Sequence, residues 1–145
     1  MDPTSGKRNQ ISSKTDEELM GSDTKVGQYK ILVVEDDPDM QHMLRDLLTK
    51  SGYTPLPAQK AKEALEYIGK WHVDLMILDI HMPGASGVDL LRVLRRRNIQ
   101  IPTVVVSGFI SEELAAQLSR LDVQSMLAKP FNADRILGEI HKYLN

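Results

Sequence analysis

The 145-residue chain contains no cysteine, which excludes disulfides, thiolate catalysis and cysteine-ligated metals. No apolar run approaches the roughly 18 residues of a membrane-spanning helix, and the N-terminus lacks the apolar core of a signal peptide. Neither sign of charge dominates: 18 basic against 20 acidic side chains give a formal charge of −2. Nothing therefore points to a nucleic-acid-binding surface. The histidines, His42, His72, His81 and His141, follow no zinc-ligand spacing. What is left is a soluble, cytoplasmic protein long enough for one domain with a real core.

Residues 1–28 hold only isolated apolar residues among mixed charges, Ser, Thr and Gly. Such a segment cannot bury enough surface to offset its ordering entropy, so it is expected to be a disordered tail. From residue 29 to residue 145 the texture changes to that of a folded domain. Strand-like apolar runs occur at 31–34, 53–58, 73–78, 101–106 and 123–128. Short continuous apolar runs suit parallel strands buried on both faces.

Helical patterns separate these runs. Met40, Met43, Leu44, Leu47 and Leu48 share one face of a first helix, and Ala61, Ala64, Leu65 and Ile68 one face of a second. Ser86 and Asp89 form a capping box for a third helix, which ends in Arg95, Arg96 and Arg97. Those arginines are expected to complement the helix dipole and stay hydrated. Ser111 caps a fourth helix, and Ile136, Leu137, Ile140 and Leu144 line a fifth. Five alternations of strand and helix predict an α/β fold: a five-stranded parallel sheet, doubly wound as (βα)5, in three α/β/α layers. Ligands of such sheets bind at the carboxyl ends of the strands.

Those ends are polar. Glu35 and Asp36 follow the first strand, Asp79 the third, Ser107 the fourth and Lys129 the fifth. Two carboxylates about 4 Å apart repel by about 4 kcal/mol at an effective dielectric near 20, and one lysine cannot compensate three acids. A hard divalent cation, Mg2+ or Mn2+, would resolve the deficit and bring in a phosphate group. A metal, a lone carboxylate and an amine around one point make a phosphoryl-transfer site. Asp79, alone at the end of the most apolar strand, is the best nucleophile. Glu35 and Asp36 anchor the metal, while Asp37 caps the first helix ahead of Pro38. Taken singly, each feature has a plainer reading: a solvated acidic loop, a structural carboxylate, a turn serine, a surface lysine.

The sequences VVEDDP, LMILDIHMPGASG, VVVSG and LAKPF, in this order, resemble the receiver domain of two-component response regulators, over about residues 29–145. The resemblance implies that Asp79 accepts a phosphoryl group from a phosphohistidine of a sensor histidine kinase or phosphotransfer protein. It implies Asp36 as a direct Mg2+ ligand, Glu35 acting through water, and further ligands from Asp79 and the backbone carbonyl of His81. Met82, Pro83, Gly84 and Gly87 match the loop after the acceptor. Ser107 matches the switch hydroxyl, Gly108 would admit a backbone amide to the phosphoryl group, and Lys129 would pair with it. The Lys129–Pro130 bond before Phe131 is expected to be cis. Met126 occupies the position where relatives often carry an inward-swinging aromatic ring, so a switch here would work through Ser107 and repacking of Met126.

On this reading the chain is a phosphorylation-controlled signalling module, not an enzyme beyond assisting its own phosphorylation and dephosphorylation. Its output is a downstream protein or an attached domain, with the chain either standing alone or part of a longer regulator. The surface of fourth helix, fifth strand and fifth helix is expected to meet partners or a second copy as a homodimer. Phe109 and Ile110 either cover the core or belong to a partner-binding face. Two alternatives stand beside this reading. One is a receiver-like interaction domain independent of phosphate. The other is an aspartyl-phosphate phosphatase, whose second acid two residues after the nucleophile is here His81.

Overall fold

The computed structural model describes residues 29–82 and 84–144. The expected tail over residues 1–28, together with Pro83 and Asn145, lies outside the described residues. Ten elements alternate: β1 (Lys30–Val34), α1 (Pro38–Lys50), β2 (Thr54–Ala58), α2 (Ala61–Lys70), β3 (Leu75–Asp79), α3 (Gly87–Arg96), β4 (Thr103–Ser107), α4 (Glu112–Arg120), β5 (Ser125–Ala128) and α5 (Ala133–Leu144).

All strands pair in parallel, in the order β2-β1-β3-β4-β5. The chain runs outward from β1 to β2, then reverses and builds β3, β4 and β5 on the other side. Strand order therefore switches between β1 and β3, and their carboxyl ends flank the natural ligand crevice.

The two-residue period of a strand splits the core in two. Leu32, Val34, Met76, Leu78 and Val105 face one side, packed with Ala61 and Ala64 of α2, Leu91 and Leu94 of α3 and Leu118 of α4. Ile31, Val33, Leu75, Ile77, Val104 and Val106 face the other, against Leu44 and Leu48 of α1 and Ile136 and Ile140 of α5. Each large side chain so buried contributes about 1.5–3 kcal/mol. Double-sided burial explains why these strands read as apolar runs rather than alternations.

β2 closes one edge, and its prolines fit that place. The Thr54 N–H donates to Tyr29 O, just ahead of β1, so residues 55 and 57 turn their backbone outward. Pro55 and Pro57 thus remove the two N–H groups that would have faced solvent and another chain.

The helix caps expected from sequence are present. Asp37 Oδ1 accepts the Asp39 N–H at 3.3 Å, Ser86 and Asp89 exchange both bonds of a capping box, and Ser111 Oγ accepts the Leu114 N–H at 3.0 Å.

Two expectations change, and one open alternative closes. The apolar face of α1 is rotated: Met43 is exposed, and Gln41 is buried with Leu44 and Leu48. Arg95 is not simply hydrated, because its Nε and Nη2 donate to Leu121 O at 3.0 and 2.8 Å and tie α3 to the end of α4. Phe109 does not cover the core; it is 73% exposed.

Candidate functional site

The site begins where β1 leaves the sheet. The Glu35 N–H still donates to Ala58 O at 2.9 Å, so sheet pairing carries this residue one step past the strand. Its side chain is consequently buried, 1% exposed. Both carboxylate oxygens are engaged: Oε2 accepts the Asp37 N–H at 3.1 Å and Oε1 the Lys129 ammonium at 3.0 Å. Asp36 is half-buried and Asp37 exposed at the helix cap.

Asp79 closes β3 and is 3% exposed. Its Oδ1 accepts the His81 N–H at 3.2 Å, and its Oδ2 lies 3.5 Å from Lys129 Nζ. One carboxylate oxygen from each of Glu35, Asp36 and Asp79 falls within 4.8 Å of the others. Residues 43 positions apart in the chain thus meet because β1 and β3 are neighbours.

Lys129 follows β5, and its N–H donates to Ser107 O at 2.7 Å, joining the ends of β4 and β5. The Lys129–Pro130 bond is cis, as expected. Ser107 is fully buried at the end of β4. Its hydroxyl donates to Phe109 O at 2.9 Å and accepts the Phe109 N–H at 3.3 Å.

Three carboxylates face one ammonium, and the deficit shows in the acid–base balance. Burial raises the Glu35 pKa, and the charge of Asp79 adds to this against the opposing bonds from Asp37 and Lys129. Burial alone would lower the Lys129 pKa, but its bond to Glu35 and the field of Asp79 outweigh that and raise it. A hard cation fits this donor set: every ligand atom is oxygen, the trio is largely shielded from water, and its charge is undercompensated. Both oxygens of Glu35 accept hydrogen bonds, whereas Asp79 accepts one, from the His81 N–H, and its Oδ2 has only the longer 3.5 Å ion pair with Lys129.

The remaining site residues are placed as follows. His81 is exposed on the loop after β3, and its N–H is spent on Asp79. Met82 is buried, and Gly84 has φ +79°, a backbone region that favours glycine. Gly87 opens α3 so close to β3 that a Cβ would stand 2.8 Å from Asp79 O and 3.0 Å from Ile80 Cα. Gly108 is exposed, and a Cβ there would meet nothing within 4 Å. Met126 is half-buried and packs with the α2–α3–α4 side of the core.

Gln41 is the site-adjacent residue that sequence reasoning missed. Its Nε2 faces Val33 O at 3.1 Å, Glu35 O at 3.1 Å and Ala58 O at 3.2 Å. The available signal was its spacing of three and seven residues from Leu44 and Leu48, which puts it on their face of the helix.

Residues 31–141 match the family model for the response regulator receiver domain. The chain is 29% identical over 118 residues to the chemotaxis protein CheY of Bacillus subtilis, covering 81% of this chain and 98% of that protein. It is 32% identical over 111 residues to the nitrogen assimilation regulatory protein NtrX of Azorhizobium caulinodans, covering 75% of this chain but only 24% of that one. Among solved structures, the response regulator protein TrrA of Thermotoga maritima in complex with Mg2+-BeF superposes with a TM-score of 0.71 at 29% identity. It covers 80% of this chain and 99% of that one.

Proposed function

The chain belongs to the response regulator receiver family, and on that footing we propose that Asp79 is the phosphoacceptor of a phosphorylation-controlled signalling module. The donor is a phosphohistidine on a sensor histidine kinase or phosphotransfer protein. An Asp79 carboxylate oxygen attacks phosphorus in line, the P–O bond forms, and the P–N bond breaks with its electron pair passing to the imidazole. When bound, Mg2+ or Mn2+ would supply positive charge to offset the negative charge developing on the transferring oxygens. Asp36, Asp79 and the His81 carbonyl would hold that ion, and Glu35 would act on it indirectly. The similar TrrA structure carries Mg2+-BeF.

The chain's own residues do the rest. The His81 N–H fixes one oxygen of Asp79. Lys129 stands between Glu35 and Asp79, within reach of charge added to Asp79. For Ser107 to donate to a phosphoryl oxygen it must release Phe109 O, its present acceptor. That exchange couples the site to an exposed loop, while Gly108 leaves room for a backbone amide to approach and Met126 repacks in place of a swinging ring. The face of α4, β5 and α5 carries the change to a partner or a second copy. Catalysis is limited to the module's own phosphorylation and hydrolysis. The output is an attached domain or a separate protein, since the chain spans a quarter of one relative and nearly all of another.

The observation that carries this reading is the meeting of buried Glu35 and Asp79 with half-buried Asp36 within 4.8 Å, with Lys129 3.5 Å from Asp79. The test is intact-protein mass after incubation with a small acyl phosphate or phosphoramidate. One phosphoryl group added with Mg2+, and none after chelation, is expected. No labelling under any donor would favour the phosphate-independent interaction domain, and steady turnover of phosphomonoesters the phosphatase.

A further inference from the structure

Gln41 is a polar side chain where the α1 face calls for an apolar one. It is 3% exposed and shares that face with the fully buried Leu44 and Leu48. Three main-chain carbonyls surround its Nε2, which orients the amide with nitrogen toward them and oxygen away, where Oε1 has no partner. The carbonyls belong to Val33 and Glu35 at the end of β1 and to Ala58 at the end of β2. Ala58 O also receives the Glu35 N–H. Gln41 therefore ties α1 to the point where β1 leaves the sheet.

The Glu35 carbonyl belongs to the peptide that joins Glu35 to Asp36. Holding it fixes the rotation of that peptide, and with it the direction in which Asp36 leaves the backbone. We propose that Gln41 is a positioning residue for the metal centre, aiming the Asp36 carboxylate at Glu35 and Asp79. The inference rests on the metal-site reading above. An apolar side chain of the same length would pack on Leu44 and Leu48 equally well, but it would withdraw the donor from all three carbonyls. The Glu35–Asp36 peptide would then be free to turn toward water.

Calorimetric titration of the full chain with Mn2+ alone, paired with metal-free thermal unfolding, tests this. Gln41→Met is expected to weaken Mn2+ binding about tenfold or more while remaining folded. A lower melting temperature with unchanged Mn2+ affinity would reduce Gln41 to a structural role and overturn the proposal. Should Gln41→Met fail to fold, Gln41→Asn decides: it keeps the donor one methylene short, and intermediate affinity supports the proposal while wild-type affinity overturns it. Wild-type protein that takes up no Mn2+ contradicts the metal centre itself. Wild-type binding with unaffected variants contradicts only the role of Gln41.

Discussion

The Lys129 ammonium is bonded to Glu35 at 3.0 Å, closer than its 3.5 Å approach to Asp79. Glu35 is almost fully buried, whereas the Lys129 side chain is 24% exposed. The lysine is thus the chief local cation for an acid that cannot reach water.

Lys129→Ala should lower metal-free stability by about 1–3 kcal/mol, because it leaves a buried carboxylate without its ionic partner. The pH dependence has a definite sign. Glu35 has a folded pKa above 4.5, and losing Lys129 raises it further. Its contribution is then full below about pH 4.5 and lost as pH rises through the folded value. The deficit of the variant should therefore shrink on acidification. Mn2+ affinity should rise, since the competing cation is gone. Denaturant melts across pH and a Mn2+ titration check both.

Gly87→Ala should be destabilising by about 1–3 kcal/mol despite the better helix propensity of alanine, because its Cβ would press on backbone atoms of Asp79 and Ile80. Gly138→Ala, in α5 with nothing within 4 Å of a new Cβ, should instead stabilise by about 0.5–1 kcal/mol. Thermal melts of the pair separate local clash from propensity.

Amide hydrogen exchange at Phe109 should quicken on phosphorylation. Its N–H donates to Ser107 Oγ, and its carbonyl receives the Ser107 hydroxyl, so recruiting that hydroxyl to a phosphoryl oxygen opens the turn. Unchanged exchange in a fully phosphorylated sample would remove Ser107 from the switch.

Acid sensitivity at the other end of the sheet should trace to Glu139. The bond from Lys142 lowers its pKa against burial, with help from Ser125. A lowered folded pKa adds stability above 4.5 and loses it as pH falls through the folded value. Glu139→Gln should be the less stable protein near neutrality, and its melting temperature should approach that of the wild type as acid is added.

The strands, the caps and the strand-end residues Glu35, Asp36, Asp79, Ser107 and Lys129 were legible because each is written locally, in an apolar run followed by a polar residue. Parallel pairing then had to bring them to one edge. What stayed hidden depends on long-range partners. Nothing local pairs Lys129 with Glu35, 94 residues away, or sets Ser125 Oγ against Glu139 and Tyr143. Gln41 was passed over because hydrophobic periodicity credits Met43, whereas the helix turns toward the residue that satisfies three carbonyls. Arg95 was misjudged for the same reason: its acceptor, Leu121 O, lies 26 residues on.

The most direct measurement is the location of the phosphoryl group. After Mg2+-dependent labelling with a small phosphodonor, peptide mass mapping should place one phosphoryl group on the segment containing Asp79, and Asp79→Asn should carry none. Undiminished labelling of Asp79→Asn would contradict the assignment of the acceptor.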